Sequence, residues 1–283
     1  MKRIINFRLT ESSNFIFHVL AFFNFEKEWG PANLFNQQYL KTTRHKIVAS
    51  SDIKNILAKV YGPISFWGLN VKYDTVPLLL SDLKDSDEIN NLLSFFKEPR
   101  INNCEKEKLY NFLSDEYNNF YKDYWTNNVK KYVKLLGMVK KNSNKIIGTY
   151  LDFLDKINPD HIFPKNVIIY LVESLDKKGR GLFFGCAIGL PHNRIELKNN
   201  LATGLHEMTH PYSDDLLANL GYKIDVRPTD KINHNRKEQT VDYILKYYLT
   251  HCSNKMGIEI EHDVHKKFIP QEIKKTLEKI KPS

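Results

Sequence analysis

The chain reads as an α+β fold in two parts: a mostly helical N-terminal region over 1–160, then a region over 161–283 in which a small sheet feeds two helices. Three observations predict this. Apolar residues recur at three- and four-residue intervals through much of the first part, the spacing that lines one face of a helix. That pattern stops at Asn158-Pro159-Asp160, and the next apolar run, Val167 to Val172, is continuous and β-branched (Val-Ile-Ile-Tyr-Leu-Val). Beyond it, two stretches return to helical spacing and carry histidines and carboxylates four residues apart.

In order along the chain, Arg3 to Leu9 forms a short opening strand. Ser12 or Ser13 caps a Phe-rich buried helix from Asn14 to Trp29, which Gly30-Pro31 ends. Asn33 to Thr42 and Ser51 to Tyr61 are helices, the second with Ile53, Ile56, Leu57 and Val60 on one face. Ile64 to Leu80 is apolar but interrupted by Gly and Pro and gives no clear period. Asp85 to Lys97 and Glu105 to Leu136 are helical. In the latter Leu109, Phe112, Leu113, Tyr117, Phe120 and Tyr121 make one stripe, which with Trp125 reads as core rather than as a binding box. Asn142-Ser143-Asn144 is a loop and cap before a helix from Lys145 to Ile157. In the second part, Val167 to Val172 and Leu182 to Ile188 are strands, Ser174 to Gly181 is a turn, and Asn193 to Leu197 is a candidate third strand.

Composition narrows the function classes. With 42 Lys and Arg against 33 Asp and Glu the formal charge is +9. No basic cluster belongs to a recognisable nucleic-acid motif, so the excess reads as scattered surface lysines. The three cysteines, Cys104, Cys186 and Cys252, are far apart and odd in number, which fits a reducing compartment. The apolar run Phe15 to Phe25 is broken by His18 and Asn24 and lacks a cleavage site, and no run approaches the roughly 20 apolar residues of a spanning helix. The expectation is a soluble cytoplasmic protein with no membrane segment.

The chemistry concentrates in Leu201-Ala202-Thr203-Gly204-Leu205-His206-Glu207-Met208-Thr209-His210. Residues four apart share a helix face, so His206 and His210 can converge on one metal ion, with Glu207 one step round where it can take a proton from a coordinated water. Asn199 or Asn200 caps this helix, and Leu201, Leu205 and Met208 supply its apolar face. The plain alternative is a surface helix with two solvated histidines. A third ligand is needed. Glu238, 28 positions after His210, lies in Glu238-Gln239-Thr240-Val241-Asp242 on a helix from about Arg236 to Thr250. Glu238 and Asp242 share a face beside the stripe Val241, Ile244, Leu245, Tyr248 and Leu249, where an unpaired carboxylate is costly. A metal for Glu238 and an imidazole N–H for Asp242 remove that cost. Alternatively, Asn235-x-x-Glu238 starts the helix and Glu238 is only a cap. His234 and His251 compete as ligands.

His206-Glu207-x-x-His210 followed by Glu238-x-x-x-Asp242 resembles the gluzincin zinc metallopeptidases, the thermolysin-like clan, over about residues 165–250. The resemblance implies a zincin-like catalytic part: a small sheet, a motif helix and a Glu helix. It implies Zn²⁺ held by His206, His210 and Glu238, Glu207 as general base and later acid, and Asp242 as partner of the first histidine. It also implies a peptide or protein substrate, bound along the strand before the motif helix. Leu182 to Ile188 holds that place, with Gly185 letting a substrate backbone approach. A donor to the oxyanion is implied beyond the Glu helix. Candidates are His262, His265, Tyr247 and Tyr248, with Tyr248 more consistent with core. Pro211 departs from the pattern, since proline clashes with the carbonyl four residues back and disfavours a helical residue before it; the motif helix is expected to end or kink at His210. A zinc-binding regulatory or interaction protein without turnover is the second reading. A basic nucleic-acid-binding protein, suggested by net charge alone, is the third.

Overall fold

The computed structural model describes residues 3–22, 37–43, 45–61, 101–159, 165–175, 179–182, 185–224, 230–251 and 268–280. They mix helix with one small sheet, and none of the described helices is long and apolar enough to cross a membrane. The chain divides into two compact units, which are not consecutive in sequence. One comprises Met1–Phe7, Gly137–Ile169 and Lys177–Ser283; the other comprises Arg8–Leu136 and Tyr170–Asp176.

The sheet falls mostly in the first unit, Arg8 and Tyr170–Val172 being assigned to the other. Its strands are β1 (Ile4–Arg8), β2 (Asn166–Val172), β3 (Arg180–Leu182) and β4 (Gly185–Gly189), in the order β1-β2-β4-β3. β3 and β4 are antiparallel, Gly181 opposite Cys186. The expected single strand Leu182 to Ile188 is therefore parts of two strands, and among the described residues β3, not β4, lies at that edge of the sheet, with β1 at the other.

The long motif helix, Arg194–Asn219, lies on this sheet. It starts earlier than the sequence suggests. Asn193 is the cap, its side chain accepting from the Ile195 and Glu196 amides at 2.9 Å, so 193–197 is the cap and first turn and not a strand. Asn200 is instead buried in the helix, its Nδ2 donating to Gly189 O at 2.7 Å and tying the helix to β4. Leu201, Leu205 and Met208 are buried as the apolar spacing requires. The second helix, Lys231–His251, packs along the motif helix, and Val241, Ile244, Leu245 and Tyr248 are buried on it.

The other unit is helical. Helix α1 (Glu11–Phe22) begins before Ser12 and Ser13, which are buried in its first turn; Thr10 takes the capping role, accepting from the Ser13 amide at 3.3 Å. Helices α2 (Gln37–Thr43) and α3 (Ser51–Tyr61) follow. Helix α4 (Asn103–Glu116) opens with a reciprocal capping box between Asn102 and Glu105. It continues into a π-helical turn, Tyr117–Tyr121, and then into α5 (Lys122–Ile157), whose second half belongs to the first unit. Leu109, Leu113, Tyr117, Tyr121 and Trp125 are buried, so most of the aromatic stripe is core, while Phe112 and Phe120 are half-buried. The Tyr124 and Tyr132 hydroxyls both donate to the Glu173 carboxylate, and Asn14 bridges the Leu171 carbonyl and the Glu173 amide.

The loop expected at Asn142-Ser143-Asn144 is absent: α5 runs unbroken through it. Ser143 is fully buried, and Ile147, Tyr150, Leu151 and Leu154 after it are buried too. Burial along that face outweighs the local preference of Asn and Ser for caps. The motif helix and the second helix are hereafter α6 and α7, and Gln271–Glu278, with Ile273 and Leu277 buried, is α8. The elements expected over 23–36, Ile64 to Leu80 and Asp85 to Lys97 lie outside the described residues.

Candidate metal centre

The local rules of α6 and α7 converge on one cluster. Four-residue spacing puts His206 and His210 on one face of α6, and Glu238 and Asp242 on one face of α7. Packing of the two helices turns these faces together. His206 Nδ1 lies 2.8 Å from Asp242 Oδ1, so an Nδ1–H donates to that carboxylate and leaves Nε2 directed at Glu238 Oε2, 3.3 Å away. His210 Nε2 is 3.9 Å from Glu238 Oε1. One ligand atom from each of His206, His210 and Glu238 lies within 4.8 Å of the other two. Their side chains are 22–32% exposed, a cleft-like position between core and water.

Charge in the cluster is mutually supported. Burial opposes charge on the His206 ring, yet Asp242 and Glu238 hold its pKa well above the ordinary value. Burial likewise opposes charge on Glu238, yet the His210 and His206 rings hold its carboxyl below the usual range. Two carboxylates, Glu238 and Asp242, lie against the two imidazoles, which favours positive charge there. Bonds of about 2.0–2.1 Å from a tetrahedral zinc place neighbouring ligand atoms roughly 3.3 Å apart, the separation of His206 Nε2 and Glu238 Oε2. Two imidazoles, one carboxylate and a second carboxylate on the far ring nitrogen are a donor set that suits zinc.

Helix α7 starts at Lys231, so Asn235 lies inside it and is not the helix start that the capping reading of Glu238 requires. His234 and His251 also lie on α7; neither belongs to the triad, and His251 is exposed against the Tyr247 ring. Tyr248 is buried and packs on Tyr150 and Phe153, as a core residue does; Tyr247 stacks on Phe153. His262 and His265 lie outside the described residues.

Pro211 does not end the helix. α6 runs through it to Asn219, with Tyr212, Ser213 and Leu217 buried beyond. Tyr212 is further held by donating to Asp155 Oδ1 at 2.9 Å, and Ser213 Oγ donates back to His210 O at 3.1 Å. Burial of the last turns thus offsets the hydrogen bond that proline removes. Gly185 also has a different role from the one expected. A Cβ there would stand 1.8 Å from Ile168 O, so its missing side chain admits the neighbouring strand β2, not a substrate.

Three supports had no clear signal in the sequence. Lys237 Nζ pairs with Asp214 Oδ2 at 3.0 Å and donates to Ile224 O at 3.1 Å, linking the residue before Glu238 to the residue four after His210. The spacing of His210 and Asp214 was visible, but not the lysine that meets it. Thr209 Oγ1 donates to Leu205 O at 2.7 Å, so the Tyr150 hydroxyl donates to Thr209, fixing the helix between the two histidines. Gly179, just before β3, is buried, and a Cβ on it would lie 2.9 Å from both Glu207 Cγ and Thr203 Cγ2. The edge strand therefore begins against Glu207. Compared with known proteins, the chain matches no family model, no curated protein and no solved structure.

Proposed function

We propose that this chain is a zinc-dependent metallopeptidase of the gluzincin type, with His206, His210 and Glu238 as metal ligands and Glu207 as general base. The observation that carries the reading is the bond from His206 to Asp242. It fixes the ring by its Nδ1 and presents Nε2 beside Glu238, an arrangement suited to a ligating histidine. When bound, zinc supplies a Lewis acid and brings the pKa of a coordinated water to roughly 7.

The chain's own residues supply the rest. Glu207 is half-buried next to the ligand pair, so it can hold a proton taken from water and return it to the leaving amine. Asp242 keeps His206 in one orientation. An extended peptide added to the edge of β3 would pass beside Glu207, since Gly179 abuts that side chain. At Gly179 a Cβ would stand 2.9 Å from Glu207 Cγ, so alanine has no room there.

The test is digestion of a peptide library by the full chain, with and without a chelator and with Glu207→Gln as control. Peptidase activity that the chelator abolishes, that added zinc restores and that Glu207→Gln reduces at least about 100-fold supports the reading. Zinc binding without any turnover supports the second reading, a regulatory or interaction protein. Equal cleavage by wild type and Glu207→Gln rules out the mechanism.

A further inference from the structure

The helical unit holds a second cluster of ligating side chains, made from residues far apart in sequence. His18 comes from the middle of α1, His45 from the segment after α2, and Glu116 from the last position of α4. One ligand atom from each lies within 4.8 Å of the other two. Both imidazoles direct Nε2 at the same carboxylate oxygen: His18 Nε2 is 3.2 Å and His45 Nε2 2.6 Å from Glu116 Oε1. The 3.2 Å spacing is close to the roughly 3.3 Å between neighbouring ligand atoms of a tetrahedral zinc, whereas the 2.6 Å contact of His45 is shorter and would have to open on binding.

Hydrogen bonding accounts for only half of this cluster. His18 is satisfied by the Tyr39 hydroxyl on Nδ1, at 2.6 Å, and by Glu116 on Nε2. His45 Nε2 is not. It is shielded from water, and despite its closeness to Glu116 it makes no hydrogen bond of acceptable geometry among the described residues. A metal ion ligated by His18, His45 and Glu116 would satisfy that nitrogen once the 2.6 Å contact of His45 with Glu116 opens to ligand spacing.

Two further features favour a positive centre here. The His45 ring lies face to face on Phe120, centroids 3.8 Å apart and planes 6° apart. Two neutral rings avoid a full face-to-face sandwich, whereas an imidazole made electron-poor by a cation is drawn to the phenyl face. The π-helical turn that carries Phe120 starts directly after Glu116. Such turns interrupt regular helix hydrogen bonding and gather at functional sites. His18 is fully buried, and its bond to Tyr39 orients the ring as the partners of ligating histidines do.

We propose that His18, His45 and Glu116 form a second metal site, for a divalent first-row transition ion of the zinc type, that staples α1, the segment after α2 and the junction of α4 with the π-turn. His18 is fully buried, Glu116 10% exposed and His45 22% exposed, so two of the three ligands are closed to water, which fits a structural ion better than a catalytic one. The proposal is independent of the peptidase reading, because no residue is shared.

The full chain, stripped with a chelator, is titrated with Zn²⁺ by calorimetry and with Co²⁺ by visible absorption. The variants are His206→Ala/His210→Ala, His45→Ala, Glu116→Gln, and the triple variant joining the first pair to His45→Ala. About two equivalents in wild type, about one in His206→Ala/His210→Ala and none in the triple variant support the site. About one equivalent in wild type, lost in His45→Ala and kept in His206→Ala/His210→Ala, also supports it while removing the first site. Unchanged stoichiometry in both His45→Ala and Glu116→Gln overturns it, as does absence of binding in His206→Ala/His210→Ala. Glu116→Gln preserves side-chain volume and guards against a His45→Ala chain that does not fold. A zinc-dependent rise in melting temperature of His206→Ala/His210→Ala, absent from the triple variant, is the second readout in support.

Discussion

At the scale of single residues, Asp242 and Gly185 show how differently two side-chain roles reach the surface of a sequence. Asp242 could be read because it stands four residues from Glu238, and helix geometry alone puts the two on one face. Its bond to His206 makes a clear prediction. Asp242→Ala leaves the ligands in place but frees the ring, so zinc affinity measured by competition with a chromophoric chelator falls about 10–100-fold. An affinity equal to wild type would show that the ring is held by other means. Gly185 could not be read correctly. A sequence shows that glycine admits a close approach, but not which backbone makes it. Here it is Ile168, so Gly185→Ala forces β2 and β4 apart. The expected loss exceeds about 3 kcal/mol in denaturant unfolding, in the range of the most damaging point changes.

At the scale of elements, the outcome turns on whether local preference or burial is stronger. The face of α7 was legible, since its stripe is long and regular. The starts of α1 and α6 were not, because Ser12, Ser13, Asn199 and Asn200 are all capping types and only the surroundings select Thr10 and Asn193 instead. Two predicted breaks, at Asn142-Ser143-Asn144 and at Pro211, are overridden by buried side chains on their far side. The proline still carries its cost. Replacing Pro211 with alanine restores an amide that can bond the Glu207 carbonyl, offset by a more flexible unfolded chain. The expected gain is about 1–3 kcal/mol in chemical unfolding, with zinc stoichiometry unchanged. A loss of stability would show that the proline's geometry is required where it stands.

At the scale of the whole molecule, a metal that binds the folded chain and not the unfolded one raises stability by mass action, about 4 kcal/mol at a free concentration 1,000 times Kd. Chelation is therefore expected to lower the melting temperature of wild type. In Glu238→Ala the part of that drop due to the first site disappears; an identical drop in both would remove Glu238 from the ligand set. The sequence by itself determined the helical first part, the change to a sheet, and the pairs His206–His210 and Glu238–Asp242, since each is set by spacings within a few residues. Only the tertiary structure decided which strand forms the edge, what fills the space at Gly185, and that α5 and α6 continue. It alone brings His18, His45 and Glu116 together. Those outcomes depend on contacts between residues tens of positions apart, and the packing that creates them has no periodic trace in the chain.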